Sequence, residues 1–155
     1  MTRTPENEKF LKSLILGAEA AQALHKVKAS VTLAQAILES GWGKSALTKK
    51  ANNLFGIKAD KAWKGPTILM PTTEYYRGHK QTVDAFFRRY PSLADSIKDH
   101  ALFLKKNPRY KAAFDCPTGI EFAKTIAECG YATDPGYAQL LISLIKQHNL
   151  EQYDV

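Results

Sequence analysis

The sequence contains only two cysteines among its 155 residues, Cys116 and Cys129. Their spacing matches no zinc-binding or CxxC pattern, so we expect two ordinary thiols rather than a disulfide or a redox pair. The four histidines are scattered along the chain without an HExxH-like pair, so we expect no metal and no other cofactor. No apolar run approaches the roughly 20 residues of a membrane-spanning helix, which argues against stable membrane insertion.

The N-terminal segment lacks the features of a secretory signal. Residues 1–8 are polar, and the apolar stretch that follows is interrupted by Lys12, Glu19 and Gln22. A signal peptide needs a basic start, an uninterrupted apolar stretch and a small-residue cleavage site. We therefore expect synthesis in the cytoplasm without a signal peptide, so that any action outside the cell would require release by another route.

Positive charge is in excess but is not concentrated. Twenty-two Lys and Arg stand against 15 Asp and Glu, giving a net charge of +7. Such a surface favours anionic polymers, but no Lys/Arg run exceeds two residues, which disfavours a dedicated nucleic-acid-binding domain. With 45% hydrophobic residues, the chain can bury a core, and we expect a single domain over residues 1–155.

Capping residues and apolar periodicity predict a mostly helical α+β domain. Two unequal lobes are expected, one helical and one formed by a small β-hairpin, with a groove between them. Predicted helices cover residues 5–28, 31–40 (capped by Ser30), 93–105, a short 107–114, 118–130 and a last one from Asp134-Pro135, while residues 44–66 form a loop and residues 67–90 the hairpin.

The segment around Glu39 has the composition of a catalytic acid site. Glu39 follows three apolar residues at the predicted end of a helix, just before Gly41, Trp42 and Gly43. The negative end of the helix dipole and the apolar neighbours both disfavour an ionised carboxylate there. A glutamic acid that stays protonated near neutral pH can donate a proton to a leaving group, as glycoside hydrolysis requires.

Five segments resemble, in the same order, motifs of glycoside hydrolase family 73, the bacterial N-acetylglucosaminidases. Within this family, the chain resembles the flagellar peptidoglycan-hydrolase domains and the stand-alone phage endolysins. The resemblance implies a lysozyme-like fold. The segments are AQAILESGWG at 34–43, NNLFGIK at 52–58, PTTEY at 71–75, FRRYPS at 87–92 with NPRY at 107–110, and GYATDPGYA at 130–138.

The resemblance assigns catalytic roles to three residues. Glu39 would be the general acid, and Glu74 the second carboxylate, acting as a base on water or as a stabiliser of the transition state. Asp84, on the opposite arm of the hairpin, is a rival for that second role. Tyr131 would orient the substrate's N-acetyl group or the attacking water.

The substrate that the resemblance implies is the glycan strand of peptidoglycan, cut at the β-1,4 bond on the reducing side of N-acetylglucosamine. Whether hydrolysis retains or inverts the anomeric centre, or uses the substrate's own acetamido group, remains open because sequence does not fix the distance between the carboxylates. The residues expected to contact the substrate are Trp42, Asn53, Phe55, Gly56, Trp63, Tyr75 and Tyr137, although the tryptophans, the tyrosines and Asn53 could equally serve packing or turn formation.

Three alternative functions remain. The first is another enzyme on the same glycan, either a muramidase or a lytic transglycosylase, which needs one protonated glutamate and no second carboxylate. The second is a non-catalytic cell-wall-binding module that keeps only the groove, and the third is a nucleic-acid-binding domain that uses the basic charge. We favour a bacteriolytic endolysin of a phage or prophage, expected to be a monomer that acts on the cell wall or in the periplasm after release.

Overall fold

Six α-helices and one β-hairpin make up residues 3–155, the part of the chain that this computed structural model describes. This architecture confirms the predicted mostly helical α+β class with a small hairpin lobe. The α-helices are α1 (Pro5–His25), α2 (Ala29–Ser40), α3 (Ala46–Ala51), α4 (Leu93–Lys106), α5 (Gly119–Glu128) and α6 (Tyr137–Gln147). The strands are β1 (Thr67–Tyr76) and β2 (His79–Arg88), and two 3-10 helices span Pro108–Asp115 and Leu150–Tyr153.

Helix α2 lies at the centre of the helical lobe. Its side chains are buried on nearly all sides, with Leu33 and Ala34 fully inaccessible and Ile37 almost so. It packs against α1, α5 and α6, as expected for a helix that is apolar around most of its circumference. The end of this helix is therefore held rigidly, and Glu39 is its penultimate residue.

Helix α1 begins as predicted but ends earlier. The Thr4 hydroxyl accepts a hydrogen bond from the Asn7 backbone N–H at the start of the helix. Lys26 takes a left-handed conformation with φ of 66°, which ends the helix at His25 instead of near Lys28. Left-handed backbone is a common way for a helix to end, because it redirects the chain while its N–H still bonds to the preceding turn.

The start of α2 differs from the prediction that Ser30 would cap it. The helix begins at Ala29, and Ser30 lies inside its first turn. Both the Ser30 backbone N–H and its hydroxyl donate to the Asp154 carboxylate, at 2.7 Å each. A carboxylate at this end complements the positive end of the helix dipole, so Asp154 at the far end of the chain stabilises α2.

This contact explains a glycine at the start of α5. A Cβ atom added at Gly119 would collide with Ser30 Oγ and approach Asp154 Oδ2 to 2.9 Å. We expect Gly119→Ala to lower the free energy of unfolding by about 3 kcal/mol, through overpacking and loss of the Ser30–Asp154 hydrogen bonds. Urea unfolding would measure the change.

Gly136→Ala is the matched control for this substitution, because its Cβ would come no closer than 3.3 Å to the exposed Asp134 carboxylate. It should unfold within about 0.5 kcal/mol of the original protein. If Gly119→Ala behaved like this control, the packing of α5 against Ser30 would be less rigid than the structure indicates.

Helix α3 replaces part of the predicted loop over residues 44–66. The Ser45 hydroxyl caps it by accepting from the Thr48 backbone N–H, and Asn52 ends it with a φ of 54°. Six residues that include two lysines are too few to show a helical apolar pattern, which is why the sequence did not indicate a helix there.

The start of α6 also lies later than predicted. Asp134 and Pro135 precede the helix rather than opening it, since α6 begins at Tyr137. The Asp134 side chain accepts from the Gly136 backbone N–H at 2.7 Å, a turn that competes with helix at that point.

The hairpin consists of two ten-residue antiparallel strands. Arg77 and Gly78 form its turn with φ values of 49° and 79°, the pair of positive values that a two-residue hairpin turn favours. Alternation directs Phe87 inward, where it is buried, and Phe86 outward, where 56% of it is exposed. Backbone hydrogen bonds from Arg88 to Ile57 and from Ala59 to Phe86 join the base of the hairpin to the loop that precedes it.

Candidate active site

Glu39 projects from the C-terminal end of α2 into a groove. Gly41 ends the helix in a left-handed conformation, with its N–H bonded to the Ile37 carbonyl. The Ser40 hydroxyl accepts the Gly43 N–H and fixes the turn that follows. Because this turn carries the chain away from the helix axis, the Glu39 side chain is left exposed to the groove.

The groove consists of two adjoining cavities. The first, of about 440 Å³, is lined by Glu39, by Phe55 and Gly56 of the loop before the hairpin, and by Tyr131 on the other side. The second, of about 450 Å³, shares Asp60, Arg88 and Phe103 with the first. The two cavities therefore form one continuous groove, and Glu39 lies in the wall of the first.

The environment of Glu39 favours its protonated form. Desolvation raises the pKa of the carboxyl group, and a hydrogen bond from the Tyr137 hydroxyl opposes part of that rise. The Tyr137 Oη to Glu39 Oε1 distance is 3.1 Å. A carboxyl group with a raised pKa beside an open groove is suited to act as a general acid.

Two stacked tyrosines form the wall beside Glu39. The rings of Tyr131 and Tyr137 lie 5.6 Å apart and almost parallel, at 13°. Tyr131 lines the cavity, whereas Tyr137, predicted to contact substrate, is only 4% exposed and lies behind Tyr131. Burial and the nearby Glu39 raise the pKa of both phenols, so both keep their protons.

A buried glutamine and a buried histidine extend this site, and the sequence did not indicate either. Gln35 Nε2 donates to Tyr137 Oη at 2.9 Å, and Gln35 Oε1 lies 2.8 Å from His100 Nε2. The His100 ring stacks on Phe55 at 3.9 Å. Complete burial lowers the pKa of His100 to about 3. The available signal was that Gln35 lies one helical turn before Glu39, on the same face of α2.

The two candidate second carboxylates lie on opposite faces of the hairpin. Glu74 pairs with Gln81, and the period of two places both on the face that carries the buried Phe87. Asp84 pairs with Pro71 on the other face. Glu74 does not line the cavity of Glu39, but it forms an ion pair of 2.9 Å with Lys58, which does line it.

Comparison with known proteins identifies the family. Residues 16–150 match the profile of the glucosaminidase family, described as mannosyl-glycoprotein endo-beta-N-acetylglucosaminidase. This chain belongs to the glucosaminidase family. Family membership confirms the predicted resemblance, and glycoside hydrolysis is the chemistry of this family.

Two curated relatives cover most of the chain. It is 38% identical over 154 residues to the exo-glucosaminidase LytG of Bacillus subtilis, covering 96% of this chain and 54% of LytG. It is 40% identical over 146 residues to the peptidoglycan hydrolase FlgJ of Salmonella typhimurium, covering 92% of this chain and 46% of FlgJ. The chain thus spans about half the length of these relatives.

A solved structure shares the fold. The catalytic domain of the autolysin Auto from Listeria monocytogenes matches with a TM-score of 0.89 and 34% identity, covering 99% of this chain and 90% of that one. This likeness confirms the predicted lysozyme-like architecture for this member of the glucosaminidase family.

In this glucosaminidase-family chain, Asn53 is buried beneath the groove and holds the loop that lines it. It is 1% exposed, and its Oδ1 accepts the backbone N–H groups of Gly56 and Ile57. Its Nδ2 donates to the carbonyls of Ile57 and Arg88. With these four hydrogen bonds, the Asn53 amide holds the loop that presents Phe55 and Gly56. The predicted contact of Asn53 with substrate stays a prediction.

Two of the aromatic residues predicted to bind substrate lie away from the Glu39 cavity. The Trp42 ring packs edge-on against Phe10 at 6.4 Å and His148 at 5.1 Å, which places it in the contact between α1 and the C-terminal region. Tyr75 is 73% exposed and belongs to the outer face of the hairpin, with Phe86.

Trp63 lies in the second cavity of the groove. The Arg88 guanidinium sits 4.9 Å above its ring, and Tyr90 packs on its edge at 5.6 Å. Arg88 is itself paired with Asp99 at 2.9 Å. This arrangement fixes the Trp63 ring, leaving its remaining surface at the wall of the groove.

The described residues, 3–155, also bear on metal binding, on the state of the cysteines and on membrane spanning. Within that range, no three His, Cys, Asp or Glu side chains come together as metal ligands. Cys116 and Cys129 are both free thiols. None of the helices in this part of the chain combines the length and apolar character needed to cross a bilayer.

Proposed function

We propose that this chain hydrolyses the β-1,4 bond between N-acetylglucosamine and N-acetylmuramic acid in peptidoglycan, with Glu39 as the general acid. The observation that carries the proposal is the position of Glu39. Its carboxyl group has a raised pKa and lines the groove of a chain in the glucosaminidase family.

Glu39 would act when the glycosidic bond breaks. Its proton passes to the glycosidic oxygen while the bond from that oxygen to the anomeric carbon opens, which avoids expelling an alkoxide. The developing oxocarbenium-like charge is then quenched by an oxygen nucleophile on the opposite face. Water completes the reaction, leaving N-acetylglucosamine with a new reducing end.

Two routes supply the second half of the reaction. In the first, Glu74 accepts the proton of the attacking water or stabilises the charge at the anomeric carbon. In the second, the substrate's 2-acetamido oxygen attacks the anomeric carbon, and water later opens the cyclic intermediate. Tyr131 lines the cavity at a place where its hydroxyl could orient the acetamido group or the water.

Peptidoglycan as substrate rests on the relatives and on charge. FlgJ is named a peptidoglycan hydrolase and LytG an exo-glucosaminidase. The net charge of +7 would also concentrate the protein at an anionic bacterial envelope. We extend this to the predicted lysis role, in which the protein acts on the wall as a monomer. Adding it to bacteria with a permeabilised outer barrier should lower their turbidity.

A digest of purified peptidoglycan tests the proposed cut. The fragments released by the original protein and by Glu39→Gln are reduced with borohydride and identified by mass spectrometry. We expect reduced N-acetylglucosamine ends from the original protein alone.

Each other result would replace the proposal with one alternative. Anhydro-muramyl ends would indicate a lytic transglycosylase, and reduced muramic acid would indicate a muramidase. A folded protein that binds peptidoglycan but releases no fragments would be a cell-wall-binding module.

A further inference from the structure

Three hydrogen bonds connect Glu39 to a histidine in the interior of the helical lobe. They join Glu39 to Tyr137, Tyr137 to Gln35, and Gln35 to His100. Gln35 and His100 are both fully buried. Two polar side chains beneath the groove thus connect the interior of the lobe to Glu39.

The protonation of His100 sets the direction of its hydrogen bond with Gln35. His100 Nδ1 is buried without a partner in residues 3–155. A buried N–H group without an acceptor is rarer in proteins than an acceptor without a donor. Neutral His100 therefore carries its proton on Nε2 and donates it to Gln35 Oε1.

The hydrogen bond from His100 to Gln35 determines the direction of the other two. With Oε1 of Gln35 turned toward His100, the NH₂ group of the amide faces Tyr137 and can only donate to its oxygen. Tyr137 Oη thus accepts from Gln35, and its own proton points to the remaining partner, Oε1 of Glu39.

We propose that His100 and Gln35 are positioning residues that force the Tyr137 hydroxyl to donate to Glu39 Oε1, leaving Glu39 Oε2 as the oxygen that carries the catalytic proton. This inference rests on the proposed role of Glu39 as the general acid. Were the Gln35 amide reversed, Tyr137 would donate to Gln35 and accept the Glu39 proton, which would then point into the protein and away from the glycosidic oxygen.

The hydrogen bond from Tyr137 to Glu39 also limits how far desolvation raises the pKa of Glu39. Donation from Tyr137 stabilises the ionised carboxylate, so its loss raises the pKa. A general acid works only while protonated, and activity falls as the pH rises through that pKa. Loss of the donation should therefore shift the alkaline limb of the activity profile upward, by about one pH unit for one hydrogen bond to a charged group. The other titratable groups that line the Glu39 cavity are Lys58, Asp60, Arg88, Tyr110 and Tyr131.

The tautomer of His100 can be measured without any assay of activity. Nitrogen NMR of histidine-labelled protein should show His100 protonated at Nε2 and bare at Nδ1 from about pH 5 to pH 8, where an ordinary histidine titrates. A proton on Nδ1 would overturn the proposal, since Nε2 would then accept from Gln35 and the chain of bonds would run the other way.

Two variants test the effect on Glu39. His100→Phe keeps a flat ring against Phe55 but removes the donor that fixes the Gln35 amide, and Tyr137→Phe removes only the hydroxyl. Each should raise the Glu39 pKa, followed by carbon NMR of its carboxyl group, by about one unit. Each should also lower kcat on soluble glycan fragments by about tenfold to a hundredfold with little change in KM.

The readouts separate a positioning role from a structural one. A structural role alone would lower stability and leave the Glu39 pKa and the alkaline limb unchanged, which would contradict the proposal. If His100→Phe failed to fold, Tyr137→Phe and the tautomer measurement would still decide the matter. His79→Phe, at an exposed position of the hairpin, is the control and should leave both quantities unchanged.

The NMR measurements also keep this inference distinct from the proposed function. If the original protein cut no peptidoglycan, the proposed function would fail, while the tautomer of His100 and the pKa of Glu39 would still be measured. If the protein cut the glycan but neither variant changed the Glu39 pKa, the positioning role would fail alone.

Discussion

Replacing Glu39 by glutamine should reduce peptidoglycan hydrolysis by about 1,000-fold while leaving the fold intact. Glutamine has nearly the same shape and its carbonyl can still accept the Tyr137 hydrogen bond, but it has no acidic proton to give to the glycosidic oxygen. Release of new reducing ends from purified peptidoglycan measures the loss.

A second glutamate at a helix end provides the matched control. Glu128 is the last residue of α5, exposed like Glu39 but absent from the lining of either groove cavity. Glu128→Gln should keep activity within about twofold. Substantial activity in a folded Glu39→Gln protein would assign the acid to another residue.

The raised pKa of Glu39 also predicts how this variant's stability changes with pH. A carboxyl group whose pKa is higher in the folded state binds more protons when folded, so its contribution to stability is present at low pH and falls as the pH rises through the folded pKa. Glu39→Gln removes this dependence. Above that pH, the variant should be at least as stable as the original protein, a gain in stability at the cost of function.

Glu39 could be predicted because its environment is local in the sequence. Three apolar residues, a helix end and two glycines within one short segment already imply desolvation at the negative end of a helix. Gly41 then ends the helix as that pattern predicts. The sequence alone was sufficient to predict this environment, because consecutive residues form the helix end and the apolar neighbours of Glu39.

The rest of the hydrogen-bonded site could not be predicted, because it is assembled by packing between distant helices. Gln35 lies on α2, His100 on α4 and Tyr137 at the start of α6, separated by 65 and 102 positions from Gln35. A buried glutamine or histidine has no local pattern that reveals its partner. The tyrosine motif at 130–138 indicated that two tyrosines matter, but not that Tyr137 would donate to Glu39 while Tyr131 faces the groove.

Residue type alone does not show where a polar or aromatic side chain stabilises the protein itself. Asn53 and Trp42 have side chains that often bind sugars. The Asn53 amide, however, makes four hydrogen bonds to backbone groups. Trp42 is half-buried and packs edge-on against Phe10 and His148. Both roles depend on which groups the fold brings near, and composition alone does not contain that information.

The hairpin faces predict which second carboxylate matters. We expect Glu74→Gln to lower kcat by about 100-fold and Asp84→Asn to leave it within about twofold. Strand alternation places Glu74 on the face of the buried Phe87, joined to the cavity through Lys58, whereas Asp84 lies on the opposite face. Initial rates on soluble glycan fragments would measure both.

Lys58 must be separated from Glu74 in this experiment, because the two form an ion pair and Glu74→Gln also releases the lysine. Lys58→Met breaks the pair but keeps the carboxylate, so it should lower kcat far less than Glu74→Gln if the carboxylate itself reacts. A larger loss from Asp84→Asn would transfer the role to Asp84. If neither carboxylate variant lost activity, the substrate's acetamido group would be the remaining nucleophile, and Glu39 would be the one carboxyl group that the reaction needs.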